Sequence, residues 1–170
     1  MSMIVIINGS LGVGKTSVAK EIHWKFDKSV CLDGDAIGHV HPFEIYDEAR
    51  LDHLYQTFAL LIRFHQTFGY QNFVINYVFE SAASLQDLIS KLSPFDADIH
   101  TYWLTCHQDE QARRIKGRNR DQLAWELTRF LALQEIQQQA AQKGFIGAEV
   151  DTTHLSPEEV AANIWTDIHA

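Results

Sequence analysis

Gly9-Ser10-Leu11-Gly12-Val13-Gly14-Lys15-Thr16 carries the residue types and spacing with the most defined chemistry in this chain. Glycine, four free positions, then Gly-Lys-Thr between a strand and a helix is the phosphate-binding P-loop. Glycines let the backbone turn tightly, so successive N–H groups converge on phosphate oxygens. The following helix adds unpaired N–H groups and a partial positive charge at its N-terminus. Lys15 supplies a mobile full charge for the outer phosphates, and the Thr16 hydroxyl is placed to ligate Mg²⁺. Gly9, Leu11, Gly12, Val13, Gly14, Lys15, Thr16 and Ser17 are therefore expected to hold a nucleoside triphosphate.

Two further groups of residues have the character such a ligand needs. Asp33 and Asp35 flank Gly34 just after the apolar run Ser29-Val30-Cys31-Leu32. Ligands of an open parallel sheet sit beyond the carboxyl ends of its strands, which puts both carboxylates on the rim of the phosphate loop. The competing view is a solvated Asp-Gly turn, and the neighbouring P-loop favours function. Arg113-Arg114-Ile115-Lys116-Gly117-Arg118-Asn119-Arg120 concentrates five basic residues in an acidic chain. A basic run is usually a solvated helix face or a nucleic-acid patch. Here a triphosphate needs more countercharge than one lysine provides, so the segment from about 111 to 121 reads as a lid.

The elements that must position these groups are legible from periodicity. Met3-Ile4-Val5-Ile6-Ile7 is a strand, a helix runs from about 15 to 26, and a second strand covers 29–32. A loop is expected from Asp33 to Pro42, then a helix from about 47 to 68 with Leu51, Leu54, Tyr55, Phe58, Leu61, Ile62 and His65 on one face. Phe73 to Phe79 reads as a strand buried on both faces. Ser84-x-x-Asp87 has the form of a helix start, with Pro94 as the stop. Ile99 to Cys106 is another strand, and a long helix spans about 121–142. A short strand and turn at 147–153 precede a helix opened by Ser156-Pro157-Glu158-Glu159. Strands alternating with helices mean a parallel sheet with right-handed crossovers. The expected fold is α/β, the three-layer P-loop architecture with about five strands flanked by helices, as a single domain over 1–170.

Composition narrows the classes. One hundred and seventy residues with 46% hydrophobic and 21% charged side chains fit one globular domain. The formal net charge of −8 argues against a nucleic-acid or anionic-membrane partner. Cys31 and Cys106, in separate apolar runs, read as buried thiols of a reducing compartment. The first apolar run is short for a signal peptide and no stretch approaches membrane-spanning length, so a cytoplasmic location is expected. A GTPase would carry an Asn-Lys-x-Asp segment, which is absent. A motor would end a later strand in a carboxylate, where this chain has Asn76, leaving Asp33 as the nearest carboxylate for the metal.

The P-loop, the Asp-Gly-Asp after the second strand, the basic segment and the closing Val150-Asp151-Thr152-Thr153 resemble the small P-loop kinases of metabolites and antibiotics. That group includes shikimate kinase, gluconate kinase and chloramphenicol phosphotransferase. The last is most similar, also through Val78-Phe79, the arginines at 114–120 and Glu149 to His154; Gly34-Asp35 with His41-Pro42 looks like gluconate kinase. Between 43 and 72 nothing matches, and there, with the long helix after the lid, such enzymes recognise the acceptor. The resemblance implies that Asp35 contacts the acceptor hydroxyl and takes its proton, and that Asp33 holds a Mg²⁺-bound water. It implies that Arg114, Arg118 and Arg120 close over the phosphates, with Arg118 also against adenine and Asp151-Thr152-Thr153 passing its other side. Phosphoryl transfer needs just such a positioned carboxylate and arginines.

The expectation is an ATP- and Mg²⁺-dependent phosphotransferase acting on a hydroxyl of a small metabolite or antibiotic, with Lys15, Asp35, Arg114 and Arg118 catalytic and Thr16 and Asp33 at the metal. Two rivals stand beside it. A nucleoside monophosphate kinase would need acceptor-side arginines, for which only Arg50 and Arg63 are available between 36 and 72. A nucleotide-gated protein could sequester a drug without transfer. His39 and His41, two apart with no third ligand, read as pocket or surface residues, and His23, His53 and His65 as packed or partly exposed. Trp24, Trp103, Trp125 and Trp165 read mostly as core, with Trp125 the one placed to touch an acceptor.

Overall fold

A computed structural model describes residues 2–95 and 97–170. Five strands, β1 (Ser2–Gly9), β2 (Ser29–Asp33), β3 (Asn72–Asn76), β4 (Ala97–Thr105) and β5 (Ala148–Asp151), form one parallel sheet in the order β2-β3-β1-β4-β5. The chain builds first to one side of β1 and then to the other. This places the reversal of strand order at the carboxyl end of β1, where a parallel sheet opens a crevice. The phosphate loop emerges there.

Alternation along β1 explains the three layers. Ile4 and Ile6 face a core shared with helices α3 (Glu48–Gln66) and α4 (Ala82–Leu92), through Leu54, Phe58, Ile62, Leu85 and Leu88. Val5 and Ile7 face the opposite core, built on α1 (Lys15–His23) and α7 (Pro157–Ile168) through Val18, Ile22, Val160 and Ile164. A central strand buried on both faces must be apolar throughout. Each such side chain contributes about 1.5–3 kcal/mol by leaving water.

The sequence expectations meet several corrections. Residues 34–37 of the expected 33–42 loop form a short helix, α2, which Asp33 caps by accepting from the Asp35 and Ala36 amides. The third strand stops at Asn76 rather than running to Phe79, and the chain leaves the sheet there. Ser84 does not start α4: Ser81 does, its side chain accepting from the Ser84 N–H, so the cap lies three residues earlier. Of the expected lid, Gln111 to Lys116 belongs to α5 (Gln108–Lys116), and only 117–122 is irregular. Trp24 is not core: it lies 76% exposed just beyond α1, which ends at His23. Cys31 is only half-buried. The capping box at Ser156 and Glu159 forms as its spacing requires.

The long helix α6 (Leu123–Lys143) follows the lid and covers the sheet beside α4. Its buried residues, Glu126, Phe130, Leu133, Gln137 and Ala140, recur every three or four positions, so polar groups share an otherwise apolar stripe. Gln137 donates to Asn8 Oδ1 and the Phe79 carbonyl and accepts from the Trp103 indole. Asn8, fully buried on β1, also accepts from the Gly9 and Phe79 amides. This satisfied network fixes where α6 lies.

Candidate active site

Between β1 and α1, Gly12 and Gly14 adopt φ of 84° and 103°, a region that side chains disfavour. A Cβ on Gly12 would also fall 2.7 Å from Ile115, so α5 packs against the loop where only glycine fits. Gln111 of α5, fully buried, donates to the Ser10 hydroxyl and the Leu11 carbonyl and is held in turn by Gln134 of α6. The loop is braced from outside itself.

Lys15 is buried, and its ammonium donates to the Ser10 carbonyl at 2.9 Å. Burial pulls its pKa from the ordinary 10.5 to about 8; Asp35 and Asp33 oppose that shift, and Arg118 adds to it. All three partners therefore lie within electrostatic reach of the lysine. Of the two carboxylates after the second strand, Asp33 lies 3.3 Å from the Thr16 hydroxyl and Asp35 lines a cleft together with Leu11.

Thr16, Asp33 and Asn76 form a polar corner at the loop's other end. The Thr16 hydroxyl lies 3.3 Å from Asp33 Oδ2 and 3.4 Å from Asn76 Oδ1, while Asp33 Oδ1 caps α2. The Asn76 amide nitrogen is buried with no partner. A hydroxyl, a carboxylate and an amide oxygen are hard donors suited to Mg²⁺ that keeps waters and phosphate ligands. Among the described residues no cluster of three His, Cys, Asp or Glu could hold a metal, and His39 and His41 are exposed. The residues fit a phosphate-borne Mg²⁺ and no dedicated metal cage.

The expected lid and adenine residues separate into two sets. Arg114 is engaged with protein: it donates to Glu110 at 2.8 Å, the Val13 carbonyl at 3.3 Å, and the Thr152 carbonyl at 2.7 Å. The Thr152 hydroxyl also donates to the Val13 and Thr105 carbonyls. Asp151 accepts from the amide and hydroxyl of Thr153, which hold its carboxyl below the usual range. These residues tie the β5 turn to the phosphate loop. Arg118 instead lines an open cleft of about 620 Å³ with Gly12, Gly14, Ser17, Arg114, Thr152 and Thr153. Burial, then its neighbour Arg120, pulls the Arg118 guanidinium below its ordinary value. Arg120 is absent from that lining and pairs with Glu126 at 3.2 Å.

A second cleft, of about 290 Å³, opens beside Leu11 of the phosphate loop. Leu11 and Asp35 line it together with Phe43, Tyr46, Tyr77 and Trp125, the last 50% exposed. Its two arginines are already committed. Arg50 donates to the Glu44 and Ile45 carbonyls and lies 4.5 Å over the Phe43 ring. Arg129 pairs with Glu80 and donates to the Tyr46 hydroxyl, which itself donates to Glu80. Sequence reasoning missed Tyr46, Glu80 and Arg129, whose spacing carries no motif. It also passed over Gln111, Gln134 and Gln137; the signal available was their place among apolar residues at helical spacing.

A phosphate loop at the reversal point of a five-stranded parallel sheet, with clefts opening beside it, defines a P-loop kinase fold. The chain belongs to the chloramphenicol phosphotransferase-like family, whose model matches residues 2–169. Family and fold together place it in the class of small-molecule phosphotransferases. Solved structures share the fold at low identity. The tunicamycin resistance protein of Deinococcus radiodurans superposes with a TM-score of 0.71 at 17% identity, covering 99% of this chain and 96% of that one. The APS kinase of Mycobacterium tuberculosis, in complex with AMPPNP and APS, gives 0.66 at 16%, covering 99% and 98%. A shikimate kinase from Bacteroides thetaiotaomicron gives 0.66 at 14%, covering 100% of both chains. No curated protein sequence matches significantly.

Proposed function

We propose that the protein transfers the γ-phosphate of ATP to a hydroxyl of a small, uncharged acceptor such as a metabolite or an antibiotic. The observation that carries this reading is the place of Asp35, which lines the aromatic cleft together with Leu11 of the phosphate loop and acts electrostatically on Lys15. The loop amides and Lys15 hold the β- and γ-phosphates, Arg118 faces them from the lid, and the β5 turn with Arg114 borders the base. Thr16 and Asp33 hold Mg²⁺, with Asn76 beside them, and the ion supplies countercharge to the phosphates. Asp35 orients the acceptor hydroxyl and accepts its proton as the acceptor oxygen bonds to the γ-phosphorus. The bond from that phosphorus to the bridging oxygen breaks, and ADP leaves with the electron pair. Carboxylate orientation matters more here than basicity, because the transition state makes little demand for a strong nucleophile.

Cleft chemistry supports a neutral acceptor. A nucleoside monophosphate or another anionic acceptor needs a free guanidinium, whereas Arg50 and Arg129 are satisfied within the protein and Arg63 is exposed 5.9 Å from the Phe95 ring. Four aromatic side chains offer instead a flat apolar or aromatic body its contact. The name of the family, and the antibiotic resistance named for the Deinococcus structure, agree with a drug-like alcohol. A screen of ADP release with ATP and Mg²⁺ against neutral alcohols, carboxylated sugars and nucleoside monophosphates tests the reading. Turnover confined to the anionic acceptors would overturn it.

A further inference from the structure

Glu126 sits in the first turn of α6 and is 5% exposed. A carboxylate in a helix's first turn is favoured by the helix dipole. That accounts for a solvated glutamate, but not for one removed from water. Its Oε1 accepts from Arg120 Nη1 at 3.2 Å, while Oε2 is buried with no partner. An unpaired carboxylate oxygen at such depth costs free energy unless a cation or donor is at hand. The neighbours provide the reason. Lys15, Arg118 and Arg120 act on one another as like charges, Arg118 upon Lys15 and Arg120 upon Arg118, and Glu126 opposes the second of these. Asp35 and Asp33 offset the charge at Lys15, while Glu126 bonds Arg120 at 3.2 Å and offsets the charge at Arg118. The α6 backbone is tied to the same place, since the Glu126 amide donates to the carbonyl of Gln122, the last residue of the irregular segment.

The two arginines also face different ways. Arg118 lines the nucleotide cleft and Arg120 does not. Resting on the reading of that cleft as the ATP site, we propose that Glu126 is a positioning residue of the lid: it anchors Arg120, whose side chain is otherwise exposed, and so holds the 117–122 segment where Arg118 lines the cleft with Gly12 and Gly14, and its free Oε2 completes a two-pronged pairing with Arg120 when the segment closes on nucleotide. Planar guanidinium and carboxylate match in such a fork. Arg120 is then an anchor, not a phosphate ligand. Trp125, one residue before Glu126, lines the acceptor cleft, so the anchor and the acceptor wall share one helical turn.

The test uses E126Q, R120Q and the double variant of the full chain, each checked for folding by thermal unfolding. Affinity for a non-hydrolysable ATP analogue with Mg²⁺ is measured by calorimetry. Amide hydrogen exchange over 117–122 is measured without nucleotide. Each single substitution is expected to weaken the analogue about tenfold, and the double no further, because both remove one interaction. Exchange over 117–122 should accelerate in all three variants without nucleotide. Losses that multiply in the double, or unchanged exchange in R120Q, overturn the anchor. The exchange arm stands on R120Q alone if E126Q does not fold. A wild-type protein that fails to bind the analogue removes the nucleotide reading, while the exchange arm still decides whether Glu126 and Arg120 hold the segment.

Discussion

The two clefts beside the phosphate loop are built from different material. On the nucleotide side, backbone does most of the work: loop amides, the Val13 carbonyl held by Arg114 and Thr152, and glycines whose φ no other residue accepts readily. On the acceptor side, side chains do it, through Phe43, Tyr46, Tyr77 and Trp125 around an already paired Arg129 and Glu80. Phosphates are the same in every nucleotide, so a fixed array of N–H groups serves for any base. An acceptor is recognised by shape, and shape is set by which aromatic groups line the wall. The contrast separates a loop held by backbone geometry, where a side chain at Gly12 or Gly14 meets strain, from a wall made of side chains.

The largest effect that would break this division is at Asp35. Asp35→Asn should lower turnover by ~10²–10⁴-fold while leaving ATP affinity within about twofold. Calorimetry with the non-hydrolysable analogue separates the two, and equal losses in both would mean that Asp35 belongs to the nucleotide side alone. A protein that sequesters its ligand without transfer would keep its protective effect in that variant. Lys15→Ala should cost on the order of 10²–10³ in turnover, as expected for one preorganised charge, with acceptor binding unchanged. Trp125→Ala should raise the acceptor KM about tenfold and leave that for ATP unaltered, consistent with the loss of one aromatic wall. A matching rise in the KM for ATP would merge the two clefts into one.

Effects of pH sharpen the comparison on the nucleotide side only. Lys15, at about 8, is charged below that value and loses its proton above it. Phosphate binding needs the charge, so ATP affinity should fall as pH rises through about 8, and a titration of affinity between pH 7 and 9.5 reads it. Stability of the nucleotide-free protein moves the other way. The unfolded lysine keeps its proton up to its ordinary 10.5, so between about 8 and 10.5 the unfolded state binds more protons and stability should rise with pH from this group. Smallest of all, Ser81→Ala removes the cap of α4, which should cost about 1 kcal/mol and leave both KM values alone.

The nucleotide side was readable because its signals are local. Glycine spacing, Lys15, Thr16 and the alternation of Ile4 to Ile7 need only neighbours in the chain to be understood. Boundaries failed where a competing local signal stood nearby. Ser84-x-x-Asp87 has the form of a cap, yet Ser81 takes that role: it holds extended backbone dihedrals and accepts from the Ser84 N–H, which leaves Ser84 inside the first turn. Trp24 reads as core with the other tryptophans, although α1 ends one residue before it and its ring, beside that of His23, stays 76% exposed. Arg114, Arg118 and Arg120 looked alike as a basic run, and only their surroundings divide them into strut, cleft lining and partner of Glu126.

By itself the sequence determined that a triphosphate-binding loop precedes a helix, that strands and helices alternate, and that carboxylates follow the second strand. These follow from backbone chemistry and hydrophobic period, which act over a few residues. Tertiary structure alone decided what the acceptor cleft is made of. Its walls come from the segment after α2, the chain just beyond β3 and the face of α6, parts of the chain that meet because the Asn8–Gln137 network and the packing of Ala140 on Trp103 and Ile146 fix α6 against the sheet. Burial and charge pairing depend on neighbours in space, and no spacing along the chain records them.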